Sequence, residues 1–327
     1  MHHPNSFDTR GFVFGICCIA GVVALFSITR IALAQVSEHI ASEPYQNLAA
    51  VETKLAALRE KHITASVEVA PRFTTNNAPL PKVSAKAFLV GDVDSGVQYA
   101  SKNETTPRPI ASITKLLTAL VAQETLSPKR MITLTRDDRV QTEGTPGSIT
   151  RDETFSVDDL LDSLLMESNN SVAYALARTD GTSAFMQKMY EKSREAGMKA
   201  TMLDDPSGIS EKNAASAADI FALTRFVHGE APELLDITRA KTNTITAKSG
   251  RTYSLANFNV FTSRPDFVGG KTGYTDAARE TMTTVFEVPV GDETATISIV
   301  VLGSEDRKAD VSKLLAWFTR NAEITQQ

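Results

Sequence analysis

The spacing of apolar and polar positions changes several times along the chain, and each change marks an element. Gly11 to Thr29 (GFVFGICCIAGVVALFSIT) contains no charge. At about 1.5 Å of rise per residue, a helix of that length nearly matches the hydrocarbon thickness of a bilayer, so residues 11–29 are expected to enter a membrane. Arg10 and Arg30 bracket the run, and Ala32-Leu33-Ala34-Gln35 after it has the small residues of a cleavage site. The run is long for a signal peptide, which favours an uncleaved anchor. From Gln46 to His62, Leu48, Val51, Leu55 and Leu58 alternate spacings of three and four among Glu52, Lys54, Arg59 and Glu60. That pattern predicts one amphipathic helix, as a stalk or lying on the main domain. Val69 to Lys82 (VAPRFTTNNAPLPK) has linker composition. The expected organisation is therefore an anchor or signal segment over 1–35, a helical stalk and linker over 36–82, and one folded domain over 83–327.

Within that domain, Ala85 to Val93 and Val97 to Ala100 flank Asp94-Ser95-Gly96 and predict a hairpin. Glu280 to Val288 and Thr294 to Leu302 predict a second one around Pro289-Val290-Gly291-Asp292. Arg307 to Arg320 reads as a helix with Val311, Leu314, Leu315 and Phe318 on one face. The middle is helical. Ser156 and Ser216 each precede an aspartate by three residues, Asp159 and Asp219, in a variant of the capping box. Ala111 to Leu126 and Thr182 to Ala196 add two helices. Strands at both ends with helices between them predict an α/β sandwich, its sheet built from the chain termini, beside an all-helical lobe.

Composition narrows the chemistry. A net charge of −5 offers no excess of positive charge for phosphates, so nucleic acid is not expected as a partner. Cys17 and Cys18 are the only cysteines and sit inside the apolar run, which excludes thiol catalysis and thiolate metal sites from the rest of the chain. Of five histidines only His228 lies beyond residue 62, so a multi-histidine metal site is not expected. No metal or organic cofactor is implied.

Ser112 and Lys115 lie three residues apart at the head of the Ala111–Leu126 helix, on one face and one turn apart. A serine hydroxyl needs a neighbouring base, and a lysine serves if burial or another cation makes its ammonium less favourable. The flanking Ile113, Leu116 and Leu117 favour burial. Ser168-Asn169-Asn170 closes the Ser156 helix, and Val268-Gly269-Gly270-Lys271-Thr272-Gly273-Tyr274 reads as a strand kept bare for close approach of a ligand. Taken singly, each has an ordinary alternative: a capped helix with a solvated lysine, a polar C-cap, a turn.

In order, Ser-x-x-Lys, Ser-x-Asn and Lys-Thr-Gly resemble the three signatures of the penicillin-recognising serine enzymes. ASITKLLTALV, LLMESNNSVAYALA, DPSGIS and VGGKTGYTDAA resemble, over roughly residues 84 to 320, the low-molecular-mass D-alanyl-D-alanine carboxypeptidase family of penicillin-binding proteins. The resemblance implies a β-lactamase/transpeptidase-like α/β fold, with an antiparallel sheet flanked by helices and an all-helical subdomain. It implies Ser112 as the nucleophile that forms an acyl-enzyme with peptidoglycan stem peptides, and Lys115 as its base. Ser168 would relay a proton to the leaving amine, and Asn170 would hold Lys115 and the substrate amide. Lys271 would keep the site positive, Thr272 would meet the terminal carboxylate, and Gly273 would permit backbone approach. The N–H groups of Ser112 and Tyr274 would form the oxyanion hole. Arg307, ten residues before Trp317, matches an arginine that faces the substrate carboxylate.

Two departures from the family are visible: Ser171-Val172 where Asp-Ala is frequent, and Arg151-Asp152-Glu153 where a glycine is usual. The stretch after Gly273 is short, so the extra C-terminal β-domain and tail anchor of many carboxypeptidases are expected to be absent, with anchoring at the N-terminus instead. The expected activity is serine D,D-carboxypeptidase, with β-lactams as acylating inhibitors and D,D-endopeptidase as the alternative. A β-lactamase is less favoured because no Glu-x-x-x-Asn spacing lies between Asn170 and Lys271. A silent wall-binding module is disfavoured by the complete set of reactive groups. The expected location is the outer face of the cytoplasmic membrane, anchored through residues 11–29 or released after Ala34.

Overall fold

The computed structural model describes residues 73–76, 78–140, 147–149 and 152–325. The run 11–29, expected to enter a membrane, and the segment 46–62, expected to form an amphipathic helix, lie outside the described residues. Among the described residues no helix is long and apolar enough to cross a membrane.

The described chain opens with strand β1 (Phe73–Thr75), in the stretch read from sequence as linker, followed by β2 (Ala87–Asp92) and β3 (Gln98–Lys102). Asp92 makes the turn between the last two by accepting from the N–H groups of Asp94 and Ser95, and Gly96 completes it at φ +79°. A short β4 (Arg108–Pro109) leads into a 3₁₀ turn, Ala111–Thr114, and then α1 (Lys115–Thr125). The helical lobe continues with β5 (Met131–Leu134), α2 (Arg136–Val140), β6 (Glu153–Ser156), α3 (Val157–Met166), α4 (Asn170–Arg178) and α5 (Thr182–Glu195). Next come β7 (Ala214–Ala215), α6 (Ala217–Glu230), α7 (Pro232–Arg239) and the hairpin β8 (Thr242–Thr246) and β9 (Thr252–Ala256). The chain returns to the sheet with β10 (Phe267–Thr275), β11 (Arg279–Val290) and β12 (Glu293–Ser304), and closes with α8 (Arg307–Asn321) and β13 (Ala322–Ile324).

The five-stranded sheet has the order β10-β11-β12-β2-β3 and is antiparallel throughout. Its strands come from both ends of the domain, as the sequence pattern predicts, and β10 is an edge. Both faces are covered, so the central strands are apolar on alternate residues in both directions. Phe88, Val90, Ile299 and Val301 pack with Val311, Leu314 and Phe318 of α8, while Leu89, Val300 and Leu302 face the core that contains Ile220, Leu223 and Val227 of α6. Helix α1 runs through the helical lobe with Lys115 to Ala122 all buried, which removes any polar face. The buried Asp310 of α8 accepts from the N–H groups of Ser84 and Ala85 and from the hydroxyls of Ser84 and Ser304, so the entrance to β2 and the end of β12 are tied to one carboxylate. Strand β1 pairs with β13.

Both predicted caps form. Ser156 accepts from the Asp159 N–H, and Ser216 and Asp219 make a complete capping box. The two short sheets β5–β6 and β8–β9 and helix α7 are elements that the sequence reading did not assign.

Asp219 also accepts from the N–H groups of Lys199 and Ala200, so it joins the end of α5 to the start of α6. Ser216→Ala is expected to lower unfolding free energy by about 1 kcal/mol in urea titration. Asp219→Ala, which removes the acceptor for those further, partly buried donors as well as the capping box, is expected to cost about 2–3 kcal/mol.

Candidate active site

The turn that carries Ser112 is closed by a local contact and packed against distant ones. Pro109 ends β4, and Ala111 then takes φ +48°, the left-handed region that costs a residue with a Cβ of order 1–3 kcal/mol. Thr114 Oγ1 donates to the Ala111 carbonyl at 2.8 Å and closes the turn. The uninterrupted helix expected from Ala111 to Leu126 is therefore corrected: residues 111–114 form a 3₁₀ turn, and α1 starts at Lys115. The meeting of side chains survives the change. Lys115 Nζ donates to Ser112 Oγ at 2.8 Å, to Asn170 Oδ1 at 2.6 Å and to the Ser207 carbonyl at 2.6 Å.

Lys115 is wholly buried. Burial pulls its ammonium down to about 7, with the Asp205 carboxylate pulling in the opposite direction. An amine in that state is half-neutral near physiological pH and 2.8 Å from a hydroxyl, so it can take the hydroxyl's proton.

The opposite wall also differs in detail from the sequence reading. Ser168-Asn169-Asn170 does not close a helix: α3 ends at Met166, Ser168 stands between two helices at φ +58°, and Asn169 caps α4 by accepting from the Val172 N–H at 3.3 Å. Asn170 is thus the first residue of α4, which directs its amide at Lys115. Val172 of the departure from the family motif supplies the N–H that Asn169 caps, and Ser171 is buried beside it.

Strand β10 brings the third segment. Lys271 is buried and its Nζ donates to Ser168 Oγ at 3.0 Å and to the Thr272 carbonyl at 2.9 Å. Burial, then the charges of Lys115 and Arg307, hold its ammonium well below the usual lysine range. Gly273 has a steric reason. A Cβ there would lie 2.9 Å from the Ser112 nitrogen and 2.5 Å from Thr281 Oγ1, so only glycine lets the strand run this close to the nucleophile turn. Arg307 Nη1 donates to the Gly273 carbonyl at 2.9 Å. Tyr274 is 54% exposed, and its hydroxyl donates to Asp276 at 3.0 Å.

A cavity of about 720 Å³ joins these parts. Ser112, Ser168, Asn170, Thr272, Gly273, Tyr274 and Arg307 line it, while Lys115 and Lys271 lie beneath the lining. All nine residues singled out in the sequence are thus brought together. The sequence reading did not assign Ser207, Asp205 or Glu167. Glu167 lines the cavity and accepts from the Ser148 N–H at 3.0 Å, fastening the Ser168 wall to residues 147–149. The Asp-Pro-Ser-Gly stretch at 205–208, quoted above only for its family resemblance, consists of turn-forming residues, and nothing in it reveals a carbonyl aimed at Lys115.

Residues 73–305 match the family model described as D-alanyl-D-alanine carboxypeptidase. A D-alanyl-D-alanine endopeptidase of Haemophilus influenzae is 34% identical over 145 residues, 43% of this chain and 50% of that protein. The D-alanyl-D-alanine carboxypeptidase DacB2 of Mycobacterium tuberculosis is 29% identical over 209 residues, 63% of this chain and 71% of that protein. Among solved structures, penicillin-binding protein D2 of Listeria monocytogenes in its cefotaxime-bound form superposes with a TM-score of 0.64 at 27% identity, over 73% of this chain and 99% of that one.

The buried lysine carries a pH signature in folding. Between pH 7 and its ordinary value of 10.5, the unfolded chain holds a proton on Lys115 that the folded chain has released. Stability therefore rises with pH across that window, and below 7 the group adds no slope. Urea titrations between pH 7 and 10 are expected to show this rise in the parent protein and a shallower one in Lys115→Met, with the remainder due to Lys271.

Proposed function

The chain belongs to the D-alanyl-D-alanine carboxypeptidase family, and on that premise we propose that it is a serine D,D-carboxypeptidase that removes the terminal D-alanine of peptidoglycan stem peptides. The observation that carries the reading is the buried Lys115 amine 2.8 Å from Ser112 Oγ. Neutral Lys115 takes the proton as Oγ attacks the penultimate D-alanine carbonyl. The N–H groups of Ser112 and Tyr274 receive the developing oxyanion, a donor of this kind being worth about 3 kcal/mol of barrier. Ser168, whose hydroxyl accepts from Lys271, relays the proton that Lys115 took on to the leaving amine, so that Lys115 is neutral again and Ser168 keeps its hydroxyl. The C–N bond breaks, D-alanine leaves, and water later cleaves the ester on Ser112.

Thr272 and Arg307 hold the terminal carboxylate in this reading. One Arg307 nitrogen bonds the Gly273 carbonyl of β10, the residue lines the cavity, and a guanidinium has further donors for a carboxylate. The second reading, a D,D-endopeptidase acting on cross-links, is favoured by the name of the 34%-identical relative. Penicillin is expected to acylate Ser112 and to remain. Of the cavity's glutamates, Glu167 is held by Ser148, and Glu211 does not stand in the Glu-x-x-x-Asn spacing of the common serine β-lactamases. The substrate lies outside the cytoplasmic membrane, so the domain is proposed to work there, anchored by residues 11–29 or released after Ala34.

Fluorescent penicillin is expected to label the parent protein lastingly and Ser112→Ala not at all; equal labelling would sink the reading. Since only neutral Lys115 is a base, the acylation rate should rise about tenfold per pH unit up to near 7 and then level off. Lys115→Arg, which cannot become neutral, should lose acylation across the range. Mass analysis of products from pentapeptide monomers and cross-linked dimers, digested side by side, assigns the carboxypeptidase and endopeptidase shares.

A further inference from the structure

Behind Lys115 lies a loop that the reaction above does not use. Asp205 is 8% exposed. Its Oδ1 accepts from the Ser207 N–H at 2.6 Å, the Ser207 hydroxyl at 2.6 Å and the Gly208 N–H at 2.8 Å, and its Oδ2 accepts from the Ser210 N–H at 2.8 Å. Residues 205–210 therefore curl around one carboxylate. The curl leaves the Ser207 carbonyl pointing at Lys115 Nζ, 2.6 Å away.

The loop is also fixed to the nucleophile turn. Asn213 Oδ1 accepts from the N–H groups of Asp204 and Asp205, and its Nδ2 donates to the Asp205 carbonyl at 2.8 Å and to Thr114 Oγ1 at 3.2 Å. Thr118 of α1 donates to the Pro206 carbonyl at 2.5 Å. Gly208, at φ +82°, lies so near the turn that a Cβ would sit 2.0 Å from the Ala111 carbonyl oxygen.

We propose that Asp205 is a positioning residue of the reaction, which holds the Ser207 carbonyl against Lys115 and supplies the buried negative charge that balances it. It acts through Lys115 and touches no substrate atom, so it rests on the reading of Lys115 as the base. The charged and titratable groups around that amine come from three other elements. Lys271 faces it from β10 with Arg307 of α8 behind, and Tyr174 of α4 bonds the Ser207 side chain and is held above the usual tyrosine range by burial and by Asp205. Burial and the second lysine both favour a neutral Lys115, and Asp205 is the charge that opposes them. Without it Lys115 would shed its proton at lower pH and become a weaker base, less able to remove a proton from serine.

The test is the pH profile of acylation by fluorescent penicillin in Asp205→Asn and Asp205→Glu, with thermal melts of the same samples. Asparagine keeps an oxygen for the Ser207 and Gly208 N–H groups and removes the charge. Its rising limb is expected about 1 pH unit below that of the parent, with a lower plateau. Glutamate keeps the charge, so its limb should stay where the parent's is although the plateau falls. An Asp205→Asn limb at the parental position, whatever the change in melting temperature, would overturn the proposal, as would an Asp205→Glu limb displaced to lower pH. Should Asp205→Asn not fold cooperatively, the Asp205→Glu limb decides: unmoved in support, displaced against. Failure of the underlying reading looks different, because Ser112→Ala would then label as the parent does.

Discussion

A lysine amine with no access to water must either be neutral or be matched atom by atom, and the site is organised around that requirement at Lys115. Moving an unpaired ammonium out of water costs far more than a domain's net stability, so such a group releases its proton or finds partners. Lys115 does both in part. Its three acceptors are a hydroxyl, a side-chain amide oxygen and a main-chain carbonyl, from residues 112, 170 and 207. Three stretches of chain must converge before the amine is satisfied. Convergence of the nucleophile turn, the start of α4 and the 205–210 loop is therefore a condition of folding as well as of chemistry.

Lys271 repeats the problem on the other side of the cavity with a different outcome. Its partners are the Ser168 hydroxyl and the Thr272 carbonyl, and among the described residues no carboxylate balances it. The two amines thus lie in unequal fields, one beside Asp205 and the other between Lys115 and Arg307. Such inequality separates roles, because the group with the counter-charge keeps the greater basicity. The backbone is under tension at matching places. Ala111 and Ser168, each at or next to a reacting serine, occupy the left-handed region despite having a Cβ. The Thr114 and Thr281 hydroxyls, which bond the carbonyls of Ala111 and Ile110, show what keeps the nucleophile turn in that shape.

The parts of this arrangement legible in the sequence are those encoded locally. The hairpins around Asp94-Ser95-Gly96 and Gly291-Asp292, the caps at Ser156 and Ser216 and the apolar face of α8 follow from turn chemistry and periodicity. Their observed limits lie within a few residues of those expected. The three motifs were legible as chemistry because each places a reactive type at fixed spacing. What local pattern did not carry was the break at Lys115, since β10 and Gly208 pack closely against the turn from more than ninety residues away. The same holds for Asn170, which looks like the tail of one helix until the turn at Ser168 starts another. Strand β8 was missed because its Thr-rich run is exposed apart from the single apolar Ile245, whereas β9 alternates Tyr253 and Leu255 with polar residues over too short a stretch to stand out. Asp205 and Ser207 look like an ordinary Asx turn, and their meaning depends on which buried group the turn faces.

Carboxypeptidase and endopeptidase cleavage are the same chemistry at the reacting carbon. They differ in what the leaving amine carries, so the residues that tell them apart must lie on the leaving side of the cavity, where Thr272, Arg307 and the exposed Tyr274 are found. The proposed proton-handling groups Lys115, Asn170 and Ser168 serve both reactions alike and are held by hydrogen bonds from the two buried lysines. A cavity of about 720 Å³ is well above the lower end of the range for small-ligand sites, about 300–1,000 Å³, so its volume admits a leaving residue larger than D-alanine. Preference between the two reactions can therefore move with substitutions along the rim at Tyr274 to Ala277 while the buried lysines and their acceptors stay unchanged. That separation of a rigid buried base from an exposed rim lets one scaffold serve relatives named for either activity.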